Sequence, residues 1–176
     1  ETYYHSLAFL FDKMEFIDQI RMHRKLMQDE FGYTPIVFRN TELIYQDVLS
    51  DIIYEEAGFK VILAEGAEKI LDWRSPLYPY KTYNGNMFLL LKYYSLADDI
   101  AFRFSNRGWP EFPLTAEKFA GWLSNVGLME RSGRDLFVNL FMDYETFGEH
   151  QWEETGIFEF MRHLPEQVFK SPHMSF

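Results

Sequence analysis

Short apolar runs alternate along this chain with longer segments in which apolar residues recur every three or four positions, and no other feature constrains the fold as much. Tyr3 to Phe11 reads as a strand. Asp12, with Glu15 three positions on, resembles a helix start with Asp in the cap position. Phe16, Ile17, Ile20 and Met27 then recur at helical spacing until Gly32 closes the element. Ile36 to Arg39 is the next strand, Val48, Leu49, Ile52 and Ile53 form the next helical stripe, and Gly58 ends it. Phe59 to Leu63 is the strand after that, with Glu65 at its end. A βαβαβ order calls for parallel strands joined by right-handed crossover helices, so the class expected is α/β.

The second half is less regular. Trp73 to Asn86, WRSPLYPYKTYNGN, reads as a loop long enough that function explains it better than connection does. Met87 to Leu91 follows as a short strand. Ser95 is placed to cap a helix with Ala97, Ile100, Ala101 and Phe104 on one face. Asn106 to Pro113, containing Trp109, is a turn-rich loop; Thr115 caps a helix in which Phe119, Trp122, Leu123 and Val126 recur as core positions. Leu136 to Met142 is the last strand, its nearly continuous apolar run being of the kind covered by helices on both faces. Thr155 is expected to cap a final helix carrying Ile157, Phe158, Met161 and Leu164 up to Pro165.

At 176 residues and 47% apolar content the chain can bury one sizeable core, and it reads as one domain at most. No segment approaches the roughly 18 uninterrupted apolar residues of a membrane span, and no signal-peptide pattern is present. The chain starts at Glu1 and enters a strand-like run at once, which suggests a piece of a longer chain. A net charge of −10 argues against nucleic acid or an anionic membrane as partner, whereas a neutral polysaccharide is compatible with it. The absence of cysteine removes disulfides, thiolate nucleophiles and cysteine-ligated zinc, and suits a reducing, cytoplasmic compartment. Aromatic residues make up 19%; most of the Phe suit a core, but eleven Tyr and four Trp are harder to hide, so some are expected to line a groove.

Two strand ends carry the chemistry. FMDYETFGEHQW, Phe141 to Trp152, follows the last apolar run and gathers Asp143, Glu145, Glu149 and His150 among Tyr144, Phe147 and Trp152. Carboxyl groups can protonate or attack a glycosidic centre, and aromatic faces pack against the C–H side of a pyranose. Read by itself, the same stretch also fits capping and surface carboxylates on an ordinary loop. PIVFRNTELIY, Pro35 to Tyr45, again runs from apolar strand residues into polar ones and reaches Glu42. Two strands ending in carboxylates make a pair possible. With both in hand the chain resembles glycoside hydrolase family 57, in its α-amylase-like branch: FRNTELIY is similar to that family's nucleophile motif, LFMDYETFGEHQW to its acid/base motif, and ETYYHS, more loosely, to a third. The family's first motif, an HQP-type strand end, and its last, in a downstream helical region, have no counterpart here.

The resemblance implies an incomplete seven-stranded (β/α) barrel, with parallel strands and outer helices, of which residues 1–176 hold strands three to seven and lack the first two as well as the C-terminal helical region. A sheet edge is then expected to be open near the strand carrying Tyr3 to Phe11. It also implies a retaining glycosidase acting on α-1,4-glucans, with Glu42 as nucleophile, Asp143 as acid/base, and no cofactor or metal. In such enzymes the two carboxyl groups sit about 5–5.5 Å apart, and partial burial beside Phe141 and Phe147 together with an anionic Glu42 is expected to raise the acid's pKa. Arg39 and Asn40 flank the nucleophile and are candidates for binding it or a sugar hydroxyl. His5 is a candidate sugar contact, at a position where related transferases carry a carboxylate. Glu145 is expected to point away from Asp143 if the chain is still extended there, while His150 and Trp152 could reach the site from the following loop. Trp73, Tyr78, Tyr80 and Tyr83 are candidates for a sugar platform, and His23, His163 and His173 read as solvated or helix-end residues. Three alternatives stay open: a 4-α-glucanotransferase using the same residues, a non-catalytic glucan-binding protein, and a metal-dependent polysaccharide deacetylase using Asp143, Glu145 and His150.

Overall fold

The computed structural model describes residues 1–129 and 133–176. The chain divides into two compact units, Glu1–Lys92 and Tyr93–Phe176.

In the first unit the helices begin and end where local chemistry places them. Asp12 caps α1 (Lys13–Phe31), its Oδ1 accepting from Met14 N at 2.9 Å and Glu15 N at 3.2 Å. Gly32 ends it in the left-handed conformation at φ 64°, as Gly58 ends α2 (Asp47–Ala57) at φ 66°. Strands β1 (Val37–Arg39), β2 (Val61–Glu65) and β4 (Phe88–Lys92) are parallel, and the two-residue β3 (Tyr80–Lys81) pairs antiparallel with β4, giving the order β1-β2-β4-β3. Residues two apart share a sheet face. Phe38, Ile62 and Leu89 share one, and pack against Phe16, Ile17 and Ile20 of α1 and Leu49, Ile52 and Ile53 of α2. Each fully buried side chain of this kind contributes about 1.5–3 kcal/mol. Val37 and Phe88, on the opposite face, are exposed.

Three expectations for this unit are corrected. Tyr3 to Phe11 is not a strand but a series of turns ending in a short 3-10 helix, Ala8–Leu10. Its amide groups find partners locally: Ser6 N donates to Thr2 Oγ1 at 2.9 Å, His5 N to the Thr2 carbonyl at 3.2 Å, and Leu10 N to the Leu7 carbonyl at 2.9 Å. A hydroxyl side chain and local turn bonds thus take the place of a ladder. The edge strand on the N-terminal side of the sheet is consequently β1, not an earlier strand, with β3 at the other edge, and Ile36 and Val37 stand exposed at β1. The loop from Trp73 to Asn86 contains β3, which forms a hairpin with β4 through Asn84 and Gly85.

The second unit is mainly helical. Helix α4 (Tyr94–Asp98) continues into a π-turn, Asp99–Arg103, and Thr115 caps α5 (Ala116–Met129) by accepting from Lys118 N at 3.2 Å. Ser95 lies inside α4 rather than capping it, and its carbonyl accepts from Arg103 Nη2 at 2.8 Å. Helix α6 (Ile157–Phe169) starts from Gly156 at φ 84°, while Thr155 sits in the preceding 3-10 turn with its hydroxyl bonded to the Trp152 carbonyl. The helix does not stop at Pro165. Ile157, Phe160, Leu164 and Val168 continue one buried stripe across it, packed with Leu96, Ile100, Phe104 and Phe119, and this burial outweighs the roughly 3 kcal/mol cost of an interior proline.

Leu136 to Met142 forms no continuous strand; it is extended chain with one bridge residue, Asn139. Val138, Leu140 and Met142 pack on the helical core while Phe137 is exposed. Its Asn139 carbonyl accepts from Tyr93 N at 2.8 Å. No helix of the described residues is long and apolar enough to cross a membrane.

Candidate active site

Parallel strands deliver the first cluster. Immediately after β1 the chain turns through Asn40, Thr41, Glu42 and Leu43, and Leu43 N donates to the Asn40 carbonyl at 2.9 Å. Asn40, 1% exposed, closes the turn from within by donating Nδ2 to the Ile44 carbonyl at 3.1 Å. Glu42 and Leu43 both take left-handed backbone conformations, at φ 58° and 53°. For residues with a Cβ this costs about 1–2 kcal/mol each. Buried Thr41 and Leu43 hold the turn, and Glu42 is thrown outward with its side chain 71% exposed.

Residues 1–6 lie against this turn. Thr2, buried, places Oγ1 3.3 Å from Thr41 Oγ1. His5, itself at φ 50°, sets Nε2 3.7 Å from Glu42 Oε1 and Nδ1 3.0 Å from Glu1 Oε1; Glu1 Oε2 accepts from Arg39 Nη1 at 2.7 Å. The contact with Glu42 is an ion-pair separation rather than a hydrogen bond. Burial alone would push the Glu1 carboxyl up, but its hydrogen bonds to His5 and Arg39, aided by the neighbouring positive charges, outweigh that and hold it below the usual glutamate range. Glu1 and Thr2 were not singled out from sequence. The signal lay in ETYYHS, where a carboxylate stands four residues before a histidine. Tyr4, exposed and adjacent to His5, was missed in the same way.

The other strand ends complete this edge. Glu65 Oε2 lies 3.6 Å from Lys92 Nζ, pairing the ends of β2 and β4. Gly66 follows, and a Cβ there would fall 2.2 Å from the Lys92 carbonyl oxygen, so only glycine fits without a shift. The four aromatics expected to share a platform are dispersed. Trp73, 85% exposed, lies in the connection leaving the C-terminal end of β2, the same end from which Glu42 emerges. Tyr83, 90% exposed, lies in the turn feeding the N-terminal end of β4, at the opposite end of the sheet. Tyr80 packs beside Ala64, Leu71 and Leu91 and donates its hydroxyl to the Ser75 carbonyl at 2.6 Å, and Tyr78 is half-buried.

The second cluster belongs to the helical unit. Asp143 is extended, at φ −69° and ψ 150°, and opens the 3-10 turn Tyr144–Thr146, its carbonyl accepting from Thr146 N at 3.1 Å. It is exposed, not partly buried as expected. The chain is therefore turning, not extended, where it reaches Glu145, and the Glu145 carbonyl accepts from Glu149 N at 3.2 Å and His150 N at 2.9 Å. Glu145, Glu149, His150 and Trp152 are all exposed, as is Tyr144, while Phe147 packs inward. Among the described residues no three His, Cys, Asp or Glu side chains are gathered as metal ligands would be.

The family profile described as glycosyl hydrolase family 57 matches residues 1–176. A protein of Methanocaldococcus jannaschii, provisionally named an alpha-amylase, is 52% identical over 175 residues, covering 99% of this chain; the chain spans 36% of that relative's length. The fold is similar to that of two solved structures. One is a 4-alpha-glucanotransferase from Thermococcus litoralis, with a TM-score of 0.67 and 18% identity over 92% of this chain and 25% of the other. The second is an exo-type maltose-forming amylase from Pyrococcus sp. ST04, with a TM-score of 0.70 and 14% identity over 96% of this chain and 28% of the other.

Proposed function

The chain belongs to glycosyl hydrolase family 57, and on that premise we propose that it carries the catalytic pair of a retaining glycoside hydrolase acting on α-1,4-glucans. Glu42 is the nucleophile and Asp143 the acid/base. The observation that supports this most is the turn after β1, where two consecutive left-handed residues hold the Glu42 carboxylate outward at the C-terminal end of a parallel strand. Backbone strain of this kind collects at functional sites, and barrel active sites lie at that end of the strands. The similarity to a relative named for alpha-amylase activity favours starch-like substrates over other glycosides.

In the first step a Glu42 oxygen attacks the anomeric carbon, the glycosidic C–O bond breaks, and Asp143 gives its proton to the leaving oxygen. Esterification removes the Glu42 charge. Asp143, now a carboxylate, takes a proton from water as the water oxygen displaces Glu42, which restores both residues and retains the anomeric configuration. His5, held by Glu1, sets a donor or a charge beside the nucleophile and is placed to meet a sugar hydroxyl. If a sugar hydroxyl replaces water in the second step, the same residues perform glucanotransfer, and product analysis separates the two.

The test is Asp143→Asn in the intact protein. Hydrolysis of maltooligosaccharides should fall at least about a thousandfold, while the first step on a maltosyl fluoride, whose leaving group needs no proton, should be largely spared. Equal loss on both substrates would remove Asp143 from the acid role.

A further inference from the structure

We propose that Gln151 is a positioning residue for Asp143, latching the acid/base loop to the π-turn that follows α4. It rests on the assignment of Asp143 as acid/base. The side chain is 3% exposed, unusual for a glutamine in a loop of otherwise solvated carboxylates. Its Nε2 donates to the Ala101 carbonyl at 2.9 Å, across fifty residues of chain. Ala101 lies within the π-turn Asp99–Arg103, at the end of a helical segment where carbonyls run out of intrahelical donors.

The same residue closes the loop through its backbone. Gln151 N donates to the Thr146 carbonyl at 3.0 Å, the Gln151 carbonyl accepts from Gly148 N at 3.0 Å, and Thr146 N donates to the Asp143 carbonyl at 3.1 Å. Asp143 is thus two backbone hydrogen bonds from the latch. Buried Thr146 is the intermediate, and Ala101, packed in the helical unit, is the anchor. Around it Tyr144, Glu145, Glu149 and His150 face solvent, while Thr146 is buried and Phe147 packs inward. The buried Gln151 Oε1, by contrast, has no partner among the described residues. A leucine would fill the volume without leaving that oxygen unsatisfied, so the Nε2 bond, not space-filling, is what the amide contributes.

The experiment compares Gln151→Leu, Gln151→Glu and Asp143→Asn in the intact protein. With Gln151→Leu, kcat on maltooligosaccharides should fall about 10- to 100-fold with KM little changed, as expected of a misplaced catalytic group. The first-step burst on maltosyl fluoride should change less than about threefold, because that step does not need the proton. Combined with Asp143→Asn, it should cause no further loss on maltooligosaccharides. Gln151→Glu donates to Ala101 only when protonated, so its activity relative to the parent should rise as pH falls. If Asp143→Asn behaves as an acid knockout but Gln151→Leu loses both substrates equally, or Gln151→Glu shows no such rise, the latch is overturned alone. If Asp143→Asn itself loses both substrates equally, the acid/base assignment falls and takes the latch with it.

Discussion

Glu42 and Leu43 sit back to back in a conformation that glycine would occupy more easily, and the carboxylate is where it is because of it. Replacing Glu42 by glycine relieves one left-handed residue and loses little buried surface, since the side chain is 71% exposed and its contact with His5 is long, at 3.7 Å. Glu42→Gly should therefore be inactive yet more stable by about 0.5–1 kcal/mol in urea denaturation, the relief being partly offset by glycine's larger unfolded-state entropy. Loss of stability would mean that the turn is held by the side chain rather than in spite of it. At Glu1 the prediction concerns pH. Its folded-state pKa lies below the ordinary value of 4.5, so the charged form stabilises the fold fully above that value and the benefit disappears as pH falls through the folded value. Glu1→Gln should be less stable than the parent at neutral pH, and the gap in thermal midpoint should narrow as pH falls below 4.5; a gap independent of pH would disconnect Glu1 from His5 and Arg39. The motif residues around Glu42 and Asp143 were legible in the sequence as strings of types. Their exposure, and the contacts of Glu1 with Arg39 and of Gln151 with Ala101, were not, because those partners lie tens of positions away.

Helix ends were legible where a local cap sets them, though not at Ser95, Thr155 or Pro165. Asp12, Thr115, Gly32 and Gly58 do in the structure what their positions suggest, through bonds spanning two to five residues. Strands were less so. The parallel order of β1, β2 and β4 follows from the alternation of runs, but Tyr3 to Phe11 is taken up by turn bonds to carbonyls and hydroxyls, and Leu136 to Met142 keeps one bridge residue while its alternate residues pack on helices. Element ends also carry a packing constraint. Because a Cβ at position 66 would collide with the Lys92 carbonyl, Gly66→Ala should force β2 and β4 apart at their C-terminal ends and cost about 1–3 kcal/mol. Chemical denaturation measures it, and a neutral substitution would show that this edge yields freely.

At the scale of the sheet, chain direction decides which exposed aromatics can serve Glu42, the proposed nucleophile. Trp73 leaves the end of the sheet that carries Glu42, whereas Tyr83 sits at the other end. Trp73→Ala should weaken maltooligosaccharide binding about five- to tenfold, roughly 1 kcal/mol of aromatic contact, and Tyr83→Ala should leave it unchanged. Titration calorimetry on the intact protein distinguishes them; the reverse ranking would place the glucan on a different surface.

The amino-acid sequence by itself determined both ends of α1, the end of α2, the start of α5, the parallel sense of β1, β2 and β4, and the two carboxylate motifs, since each depends on residues within a few positions of one another or on the alternation of runs. Only the tertiary structure decided that the first apolar run forms turns, that β1 is an edge strand, that β3 runs antiparallel, that Ser95 and Thr155 do not cap, that Tyr80 is packing while Trp73 is surface, and that a buried glutamine ties the Asp143 loop to a π-turn fifty residues earlier. Those outcomes depend on which distant groups compete for the same amides and the same apolar surface, and that competition is resolved only when the chain has folded.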